Sequence, residues 1–252
     1  MKTEIIADIG CNHGGDLKTA YEMVEKAVEF GANYAKFQYF SVLEIMDFER
    51  YHPPTLYTSA MLKEITRARF TILDLEYLKK DCDDLGIEFL CTPFINPAKV
   101  AELDPLVRRW KIRARDSENL ELINAALDTG KEVFISTWEY TCDFNLLYNP
   151  GITWMFTVPK YPASPEDFNT SLIRGFKGYS NHVPGIAASI ASAVIARDFN
   201  LERWVIEVHV KLDDTKPVDD AVSLTFRELK ELRRCVDDIG RFNLSPRYPR
   251  VE

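Results

Sequence analysis

Two of the four histidines in this chain close apolar, strand-like runs: Gly178-Tyr179-Ser180-Asn181-His182 and, about one βα unit later, Val205-Ile206-Glu207-Val208-His209. On a parallel barrel, neighbouring strands deliver their last inward residues to the same open rim. A pair of imidazoles there makes a credible divalent-metal site, with His182 and His209 as ligands. The competing reading, in which each histidine merely caps its strand with a hydrogen bond, carries equal weight on residue types alone. Alternation along strands adds a second group of residues. Lys36 and Gln38 share a face, as do Lys111, Arg113 and Arg115, while Asp8 and Gly10 share another, and Glu207 points the same way as His209. Unpaired buried cations are costly, so Lys36, Lys111 and Arg113 imply an anionic ligand or internal ion pairs. For Arg115, snorkelling to the surface is an equal alternative. Cations suited to a phosphate and a carboxylate, beside a metal that polarises a carbonyl, are what joining an anionic enol to an aldehyde requires.

The elements that must position these residues alternate along the chain. Short β-rich runs fall near 4–9, 33–38, 87–91, 108–113, 132–137, 153–158, 176–180 and 204–210. Helical patterns fall near 16–30, 71–85, 97–103, 117–129, 164–173, 185–198 and 225–239. The first helix carries the clearest stripe, with Ala20, Met23, Val24, Ala27 and Val28 on one face. Ser117 and Thr225 stand where N-caps belong, and Gly31, Gly86 and Gly130 stand just past helix ends. Eight strands with intervening helices specify an α/β fold of the (β/α)8 TIM-barrel type, a single domain over 1–240. A doubly wound sheet is the alternative, but Gly10-Cys11-Asn12-His13-Gly14-Gly15 lacks the dinucleotide spacing. Residues 41–70, with Pro53-Pro54, form a long loop after the second strand, in the position of a lid. Residues 138–151 hold little helix, and 241–252 read as a C-terminal tail.

Composition narrows the function classes. With 252 residues, 46% of them hydrophobic, the chain can bury a substantial core. A net charge of −8 argues against nucleic acid as the main partner. No apolar run is long enough to span a bilayer, and Met1 to Glu4 run directly into Ile5-Ile6-Ala7, leaving no room for a signal peptide. Five scattered cysteines without CxxC spacing suit reduced thiols in a cytoplasmic protein. Cys91 reads as an inert buried thiol despite its place at a strand end.

In order and spacing the motifs resemble the sialic acid (N-acetylneuraminate) synthase family. Ile6-Ala7-Asp8-Ile9-Gly10-Cys11-Asn12-His13-Gly14-Gly15-Asp16 resembles that family's opening A-E-I-G-x-N-H-x-G-D. Gly31-Ala32 with Lys36-Phe37-Gln38, then Cys91-Thr92-Pro93-Phe94, Ile135-Ser136-Thr137 and Tyr161-Pro162 are similar to its later strands and loops. Gly178-Tyr179-Ser180-Asn181-His182 resembles G-Y-S-D-H, Val205 to His209 resembles V-I-E-K-H, and Asp219, Ser223 and Leu224 fit P-D-H-x-x-S-L. The resemblance covers about 4–240, the catalytic barrel without the antifreeze-like C-terminal domain that typical members carry. It implies a (β/α)8 barrel that condenses phosphoenolpyruvate with a sugar aldehyde to a 3-deoxy-2-ulosonic acid and phosphate. The implied cofactor is a divalent metal, usually manganese, with Mg2+ or Co2+ as substitutes. His182 and His209 would bind it. Lys36, Thr92, Lys111, Ser136 and Ser180 would bind phosphoenolpyruvate, Tyr161 and Asp219 would face the sugar, and Asp8 would handle protons.

The chain departs from the family pattern at several points. Asp8 replaces a glutamate, Arg113-Ala114-Arg115 replaces G-S-G, Trp138 replaces a glycine, Asn181 an aspartate and Asp220 a histidine. Arg113 or Arg115 would then stand in for the arginine that the antifreeze-like domain gives to the acylamino sugar. Two other readings remain open at this stage. One is a barrel aldolase with Lys111 as Schiff-base lysine; the other is a catalytically altered barrel that binds an anionic sugar. His13 fits a role in ordering the first loop, His52 falls on the expected lid, and the barrel is compatible with a homo-oligomer.

Overall fold

The structure is a computed structural model, which describes residues 1–45, 59–139 and 144–242. Eight parallel strands form a closed ring: β1 (Lys2–Gly10), β2 (Tyr34–Tyr39), β3 (Glu88–Pro93), β4 (Arg109–Ile112), β5 (Glu132–Thr137), β6 (Ile152–Thr157), β7 (Gly178–Asn181) and β8 (Arg203–Lys211). Each pairs with the next, and β1 pairs with β8 from Lys2↔Arg203 to Asp8↔His209. A two-residue strand, β9 (Leu224–Thr225), extends β8. The helices are α1 (Leu17–Glu29), α2 (Ser59–Arg67), α3 (Ile72–Leu85), α4 (Ala98–Leu103), α5 (Leu120–Asp128), α6 (Phe144–Leu147), α7 (Ala187–Asp198) and α8 (Phe226–Arg241). This is the (β/α)8 barrel expected from the alternating pattern.

Strand alternation sorts the barrel into layers. Outward residues such as Ile5, Ala7, Phe37, Phe89, Trp110, Val133, Trp154, Trp204 and Ile206 pack with the helices into one large apolar cluster. Inward residues Ile6, Tyr34, Leu90, Phe134, Met155 and Val205 form a separate apolar plug inside the barrel. Gly178 belongs to this layer, because a Cβ there would lie 2.7 Å from Val205 O and 2.8 Å from Met155 Cγ. Below the plug, at the N-terminal mouth, the first inward residues of the strands form an ionic web. Glu4 Oε2 accepts from Tyr34 Oη and Arg203 Nε, both at 2.8 Å, and Arg203 Nη1 donates to Glu132 Oε1 at 2.6 Å. Glu132 Oε2 accepts from Arg109 Nε at 2.8 Å, and Arg109 also reaches Glu88. Such a web at this end reads as structural.

Local chemistry moved several boundaries. β7 begins at Gly178, two residues later than expected, because Phe176 N donates to Ile173 O and closes a turn. The helix expected over 164–173 is instead two 3-10 turns, Pro165–Asp167 and Thr170–Ile173. Ser164 and Asp167 cap each other around the first of these, and Asn169 starts the second by accepting from Ser171 N. The N-cap of α5 is Asn119 rather than Ser117, because the Asn119 carboxamide accepts from Leu122 N while Ser117 closes the turn that follows β4. Thr225 caps α8 as expected, in a reciprocal pair with Glu228. Of the expected lid, 41–45 and α2 are described, whereas 46–58, with His52 and Pro53-Pro54, lie outside the described residues. Arg241 still belongs to α8, and residues 243–252 of the expected tail also lie outside.

Candidate active site

Above the apolar plug, the next inward position on successive strands carries Asp8, Lys36, Thr92, Lys111, Ser136, Thr157, Ser180 and Glu207, all of them buried. Lys36 Nζ lies 2.7 Å from both Asp8 Oδ2 and Glu207 Oε1. Glu207 Oε2 is 3.2 Å from Lys111 Nζ and accepts from Ser180 Oγ at 2.6 Å. Lys111 Nζ donates to Ser136 Oγ at 2.8 Å and to Ile112 O at 3.0 Å. The result is a buried ring of alternating charge. Burial works against both ammonium groups, with opposite outcomes. For Lys36 the carboxylates of Asp8 and Glu207 outweigh it, and the pKa rises. For Lys111 burial wins despite Glu207, aided by repulsion from Lys36, and the pKa falls to about 8. Burial also penalises the Glu207 carboxylate, but Lys111 and Lys36 more than compensate and hold its pKa well below the usual range. Thr92 Oγ1 and Asp8 Oδ1 of this layer have neither a hydrogen-bond nor an ion-pair partner among the described residues.

The topmost level holds His182, His209, Gln38, Tyr161 and Asp219. The two imidazole centroids lie 5.9 Å apart, and the Tyr161 ring presents its edge to both, at 4.8 and 5.8 Å. Tyr161 Oη donates to Asp219 Oδ1 at 2.5 Å. His209 Nδ1 is 3.5 Å from Asp8 Oδ2 and 3.6 Å from Asp219 Oδ2, yet makes no hydrogen bond with any described residue. Burial, together with the neighbouring His209, pushes the His182 pKa down to about 3, so this ring is neutral and able to act as a ligand. Thr157 Oγ1 donates to Ser180 O at 2.9 Å and lies 3.3 Å from His182 Nδ1. Its proton is therefore committed, and the histidine contact needs the proton on Nδ1, which leaves the Nε2 lone pair free. Gly10 lets this crowding occur: with φ +53° and no side chain, it sits where a Cβ would lie 3.3 Å from both Asp8 Oδ1 and Gln38 Nε2, and 3.5 Å from Asp219 Oδ2.

The structure brings Asp8, Lys36, Gln38, Thr92, Lys111, Ser136, Tyr161, Ser180, His182, His209 and Asp219 to this one end of the barrel. β4 stops at Ile112, one residue short of the expected end; Arg113 keeps an extended backbone, and the 3-10 turn Ala114–Asp116 breaks the alternation that would have aligned Arg115 with Lys111. Arg113 Nε donates to Asp116 Oδ2 at 2.6 Å, and its guanidinium lies 3.7 Å over the Phe94 ring. Arg115 sits half-buried within the turn. Asn181 faces away from the barrel interior, where its Oδ1 accepts from Val183 N at 3.0 Å, so the aspartate-to-asparagine departure falls outside this layer. Trp138 Nε1 donates to Glu139 at 2.9 Å. His13 is buried, stacked on Phe70 at 4.0 Å, and accepts from Gly15 N at 3.1 Å, which orders the first loop. Burial pushes the Cys91 thiol well up, as befits an inert residue.

Glu207 was placed on the face of His209 but given no role, and two further contributors, Thr157 and Asn12, were not singled out from sequence. Glu207 and Thr157 obey the same alternation that placed Lys36 and Ser180, so the signal was present. Asn12 lies in a loop and had none. Its Nδ2 donates to Val210 O and Ser223 Oγ, and its Oδ1 accepts from Asp219 N at 3.2 Å, fixing the segment that carries Asp219.

Among the described residues no group of three or more histidine, cysteine, aspartate or glutamate side chains is spaced to hold a metal. The unpartnered His209 Nδ1, the neutral His182 and the bare Asp8 Oδ1 nevertheless fit a cation held by two imidazoles, with water or substrate completing its shell. Counting formal charges, Asp8, Glu207 and Asp219 against Lys36 and Lys111 leave one net negative charge. A substrate bearing both phosphate and carboxylate needs more positive charge than that.

Comparison with known proteins agrees with this geometry. The model of the NeuB family matches residues 23–243. The N-acetylneuraminate-9-phosphate synthase of Homo sapiens is 31% identical over 96% of this chain and 71% of its own length. The N,N'-diacetyllegionaminic acid synthase of Campylobacter jejuni is 28% identical over 92% of this chain and 74% of its own. The crystal structure of the N-acetylneuraminic acid synthetase from Leptospira borgpetersenii, in complex with citrate, superposes with a TM-score of 0.81 at 26% identity, covering 98% of this chain and 87% of that one. By sequence and by fold, this chain belongs to the NeuB family, whose characterised relatives here are sialic acid and legionaminic acid synthases.

Proposed function

We propose that this barrel condenses phosphoenolpyruvate with a sugar aldehyde, giving a 3-deoxy-2-ulosonic acid and phosphate, with a divalent cation of the manganese type bound by His182 and His209. One observation carries the reading. A fully buried ring of Asp8, Lys36, Lys111 and Glu207 lies directly beneath two adjacent imidazoles, with Thr92 and Asp8 oxygens left unpartnered. Desolvating four charges where an apolar layer would fit is costly, and binding an acidic substrate gives it a use.

Lys36 and Lys111 would hold the phosphate and carboxylate of the donor, with Thr92, Ser136 and Ser180 hydroxyls completing the cradle. A bound divalent cation supplies Lewis-acid polarisation of the aldehyde oxygen. Positioned in this way, C3 of the donor attacks the aldehyde carbon with the electrons of its C2=C3 bond; a carbon–carbon bond forms, the aldehyde oxygen becomes an alkoxide, and positive charge develops at C2. Water adds to C2, its proton passing to Asp8 Oδ1, the free oxygen of a carboxylate whose other oxygen is held by Lys36, and from there to the alkoxide, which becomes the new hydroxyl. The bond between C2 and the phosphate oxygen then breaks, the C2 hydroxyl gives its proton to the departing phosphate, and C2 becomes the ketone. Tyr161, Asp219 and Gln38 line the acceptor side. The relatives' names cover both a phosphorylated and an unphosphorylated product, so family membership leaves the far end of the acceptor open.

The test is phosphate release from phosphoenolpyruvate with Mn2+ across a panel of aldoses, with the ulosonic acid detected as product. No acceptor-dependent release with any aldose would refute the reading. A Schiff-base aldolase is the second reading, favoured by the lowered pKa of Lys111. Against it stand three acceptors around Lys111 Nζ (Ser136 Oγ, Ile112 O and Glu207 Oε2), a shell suited to an ammonium ion. Borohydride trapping with pyruvate separates the two, since only the aldolase forms an imine.

A further inference from the structure

We propose that Asp219 is a positioning residue for His209: its Oδ2 takes the Nδ1 proton of that imidazole, which leaves Nε2 as the nitrogen able to bind a cation, and Asn12 braces Asp219 for the task. The inference rests on the condensation reading for the cation, and on the geometry behind His209 for the proton. His209 is 8% exposed. Its Nδ1 has two carboxylate oxygens close by, Asp8 Oδ2 at 3.5 Å and Asp219 Oδ2 at 3.6 Å. In a buried site a nitrogen lone pair aimed at two carboxylates is repelled, whereas an N–H is attracted, so the proton belongs on Nδ1. Both contacts are longer than a formed hydrogen bond, so one carboxylate has to close on the ring. Asp8 Oδ2 is already held by Lys36 Nζ at 2.7 Å. Asp219 Oδ2 accepts from no described residue, because Tyr161 Oη donates to Oδ1 instead. Of the two oxygens facing the ring, that of Asp219 is the unclaimed one. Loading Nε2 makes Nδ1–H a stronger donor, and the contact then closes.

The surrounding chain holds that oxygen in place. Asn12 Nδ2 donates to Val210 O at 2.8 Å, on the residue after His209, and Asn12 Oδ1 accepts from Asp219 N at 3.2 Å. One buried carboxamide thus ties the peptide behind the imidazole to the backbone of the carboxylate that faces it. Ser223 closes a triangle, since its Oγ accepts from Asn12 Nδ2 at 2.9 Å and donates to Asp219 O at 2.7 Å. The carboxylate itself is fixed as well. Tyr161 Oη fastens Oδ1, and Gly10 makes room, because a Cβ there would lie 3.5 Å from Oδ2. A carboxylate serving only a sugar hydroxyl would need no tie between its backbone and the residue after His209. Thr157 stands to His182 as Asp219 stands to His209: each keeps a proton on Nδ1, so both rings retain the Nε2 lone pair for a ligand.

The experiment reads the histidine ring nitrogens of the metal-free full chain by 15N NMR at pH 8, with His209→Gln used to assign the His209 signals. Mn2+ affinity is measured calorimetrically in parallel, and the KM for the aldose acceptor is followed with phosphoenolpyruvate and Mn2+. Wild-type His209 should be protonated on Nδ1. Asp219→Ala should turn it into a mixture of both tautomers and weaken Mn2+ binding by about 10–100-fold. Asp219→Asn, which keeps one acceptor oxygen, should recover part of the Nδ1 form. Asn12→Ala, which keeps the carboxylate but releases its backbone, should give the same mixture to a smaller degree. Asp220→Asn removes an equal charge one residue away, from a carboxylate paired with Lys211, and should change neither reading, which separates positioning from a general loss of negative charge. A wild-type ring protonated on Nε2, an unchanged tautomer in Asp219→Ala, or a raised acceptor KM in that variant at unchanged Mn2+ affinity would each overturn the inference. If the tautomers behave as expected but the wild type binds no Mn2+, the metal-dependent condensation reading fails while the hold of Asp219 on the ring stands.

Discussion

Lys111→Met should make the protein more stable and abolish the phosphoenolpyruvate consumption proposed for it. Lys111 is 1% exposed, and burial outweighs its contact with Glu207, so its pKa falls from 10.5 to about 8. At 1.36 kcal/mol per unit, that depression corresponds to about 3 kcal/mol of strain in the charged form at neutral pH. Methionine fills similar space without charge. It forfeits hydrogen bonds to Ser136 and Ile112, each worth about 1 kcal/mol net, while Glu207 keeps Lys36 and Ser180. The expected gain is about 1–2 kcal/mol, or roughly 2–8 °C in melting temperature for a chain of this size. The pH dependence has a defined sign. Between pH 8 and 10.5 the unfolded chain carries a proton on Lys111 that the folded one lacks, so wild-type stability rises with pH in that window relative to the variant. The variant's advantage should therefore be greatest below pH 8 and fade toward pH 10.5. Urea midpoints of both proteins across pH 6.5–10.5 provide the measurement. A variant less stable than wild type at pH 7, or an advantage independent of pH, would show that the ring charge is not strained, and the argument that a substrate justifies it would fail.

Other expectations follow from the same geometry. His182→Ala and His209→Ala should each abolish turnover and weaken Mn2+ binding at least tenfold while leaving the circular dichroism spectrum unchanged, and chelation of the wild type should be reversed by adding Mn2+. Thr157→Val should weaken Mn2+ binding by about 10–100-fold, because the His182 tautomer loses its acceptor, whereas Thr157→Ser should retain it; unchanged calorimetric affinity in the valine variant would remove that role. At the other mouth, Glu4→Gln should lower stability by about 2 kcal/mol at pH 7 and leave turnover intact. Burial works against the Glu4 carboxylate, but hydrogen bonds from Lys2, Tyr34 and Arg203 hold its pKa at about 2. Its contribution is thus complete above pH 4.5 and lost as the pH falls toward 2, and acid titration of wild type against variant should show that difference.

Alternation made the inner architecture legible. Placing Asp8, Lys36, Ser136, Ser180 and His209 on inward faces required only a strand boundary and a parity, and both held because each strand keeps its alternation as far as the residue named, β1 becoming irregular only after Asp8. The same rule failed beyond Arg113. Arg113 and Arg115 looked aligned with Lys111, but the 3-10 turn Ala114–Asp116 rotates the backbone off the strand period at Arg115, and Arg113 contacts Asp116 and Phe94. Nothing in the spacing R-A-R-D distinguishes a continued strand from a turn, so the error arose where the period changes. The helix expected over 164–173 failed for a related reason: side chains of Ser164, Asp167 and Asn169 bond to nearby backbone and close single turns in place of a helix. Asn12 lay beyond reach because its partners, Val210, Asp219 and Ser223, are about 200 residues away in sequence.

The barrel carries two ionic layers on either side of one apolar plug, and they are built differently. At the N-terminal mouth, Glu4, Glu88 and Glu132 are matched by Lys2, Arg109 and Arg203 beside solvent, and burial there is partial. At the C-terminal end, Asp8, Lys36, Lys111 and Glu207 are each almost fully buried, one ammonium is held against its own tendency to lose a proton, and oxygens are left without partners. A layer serving stability alone would resemble the first. With Asp219 of the level above included, three carboxylates face two ammonium groups where an acidic donor would bind, so the missing positive charge must arrive with the ligand or before it. On the proposed reading His182 and His209 would hold that cation at the rim, and metal loading would then be a precondition for donor binding rather than a consequence of it. Donor affinity should accordingly rise steeply with Mn2+, whereas Mn2+ affinity measured without donor should already be substantial; a donor that binds equally well in chelator would reverse that order.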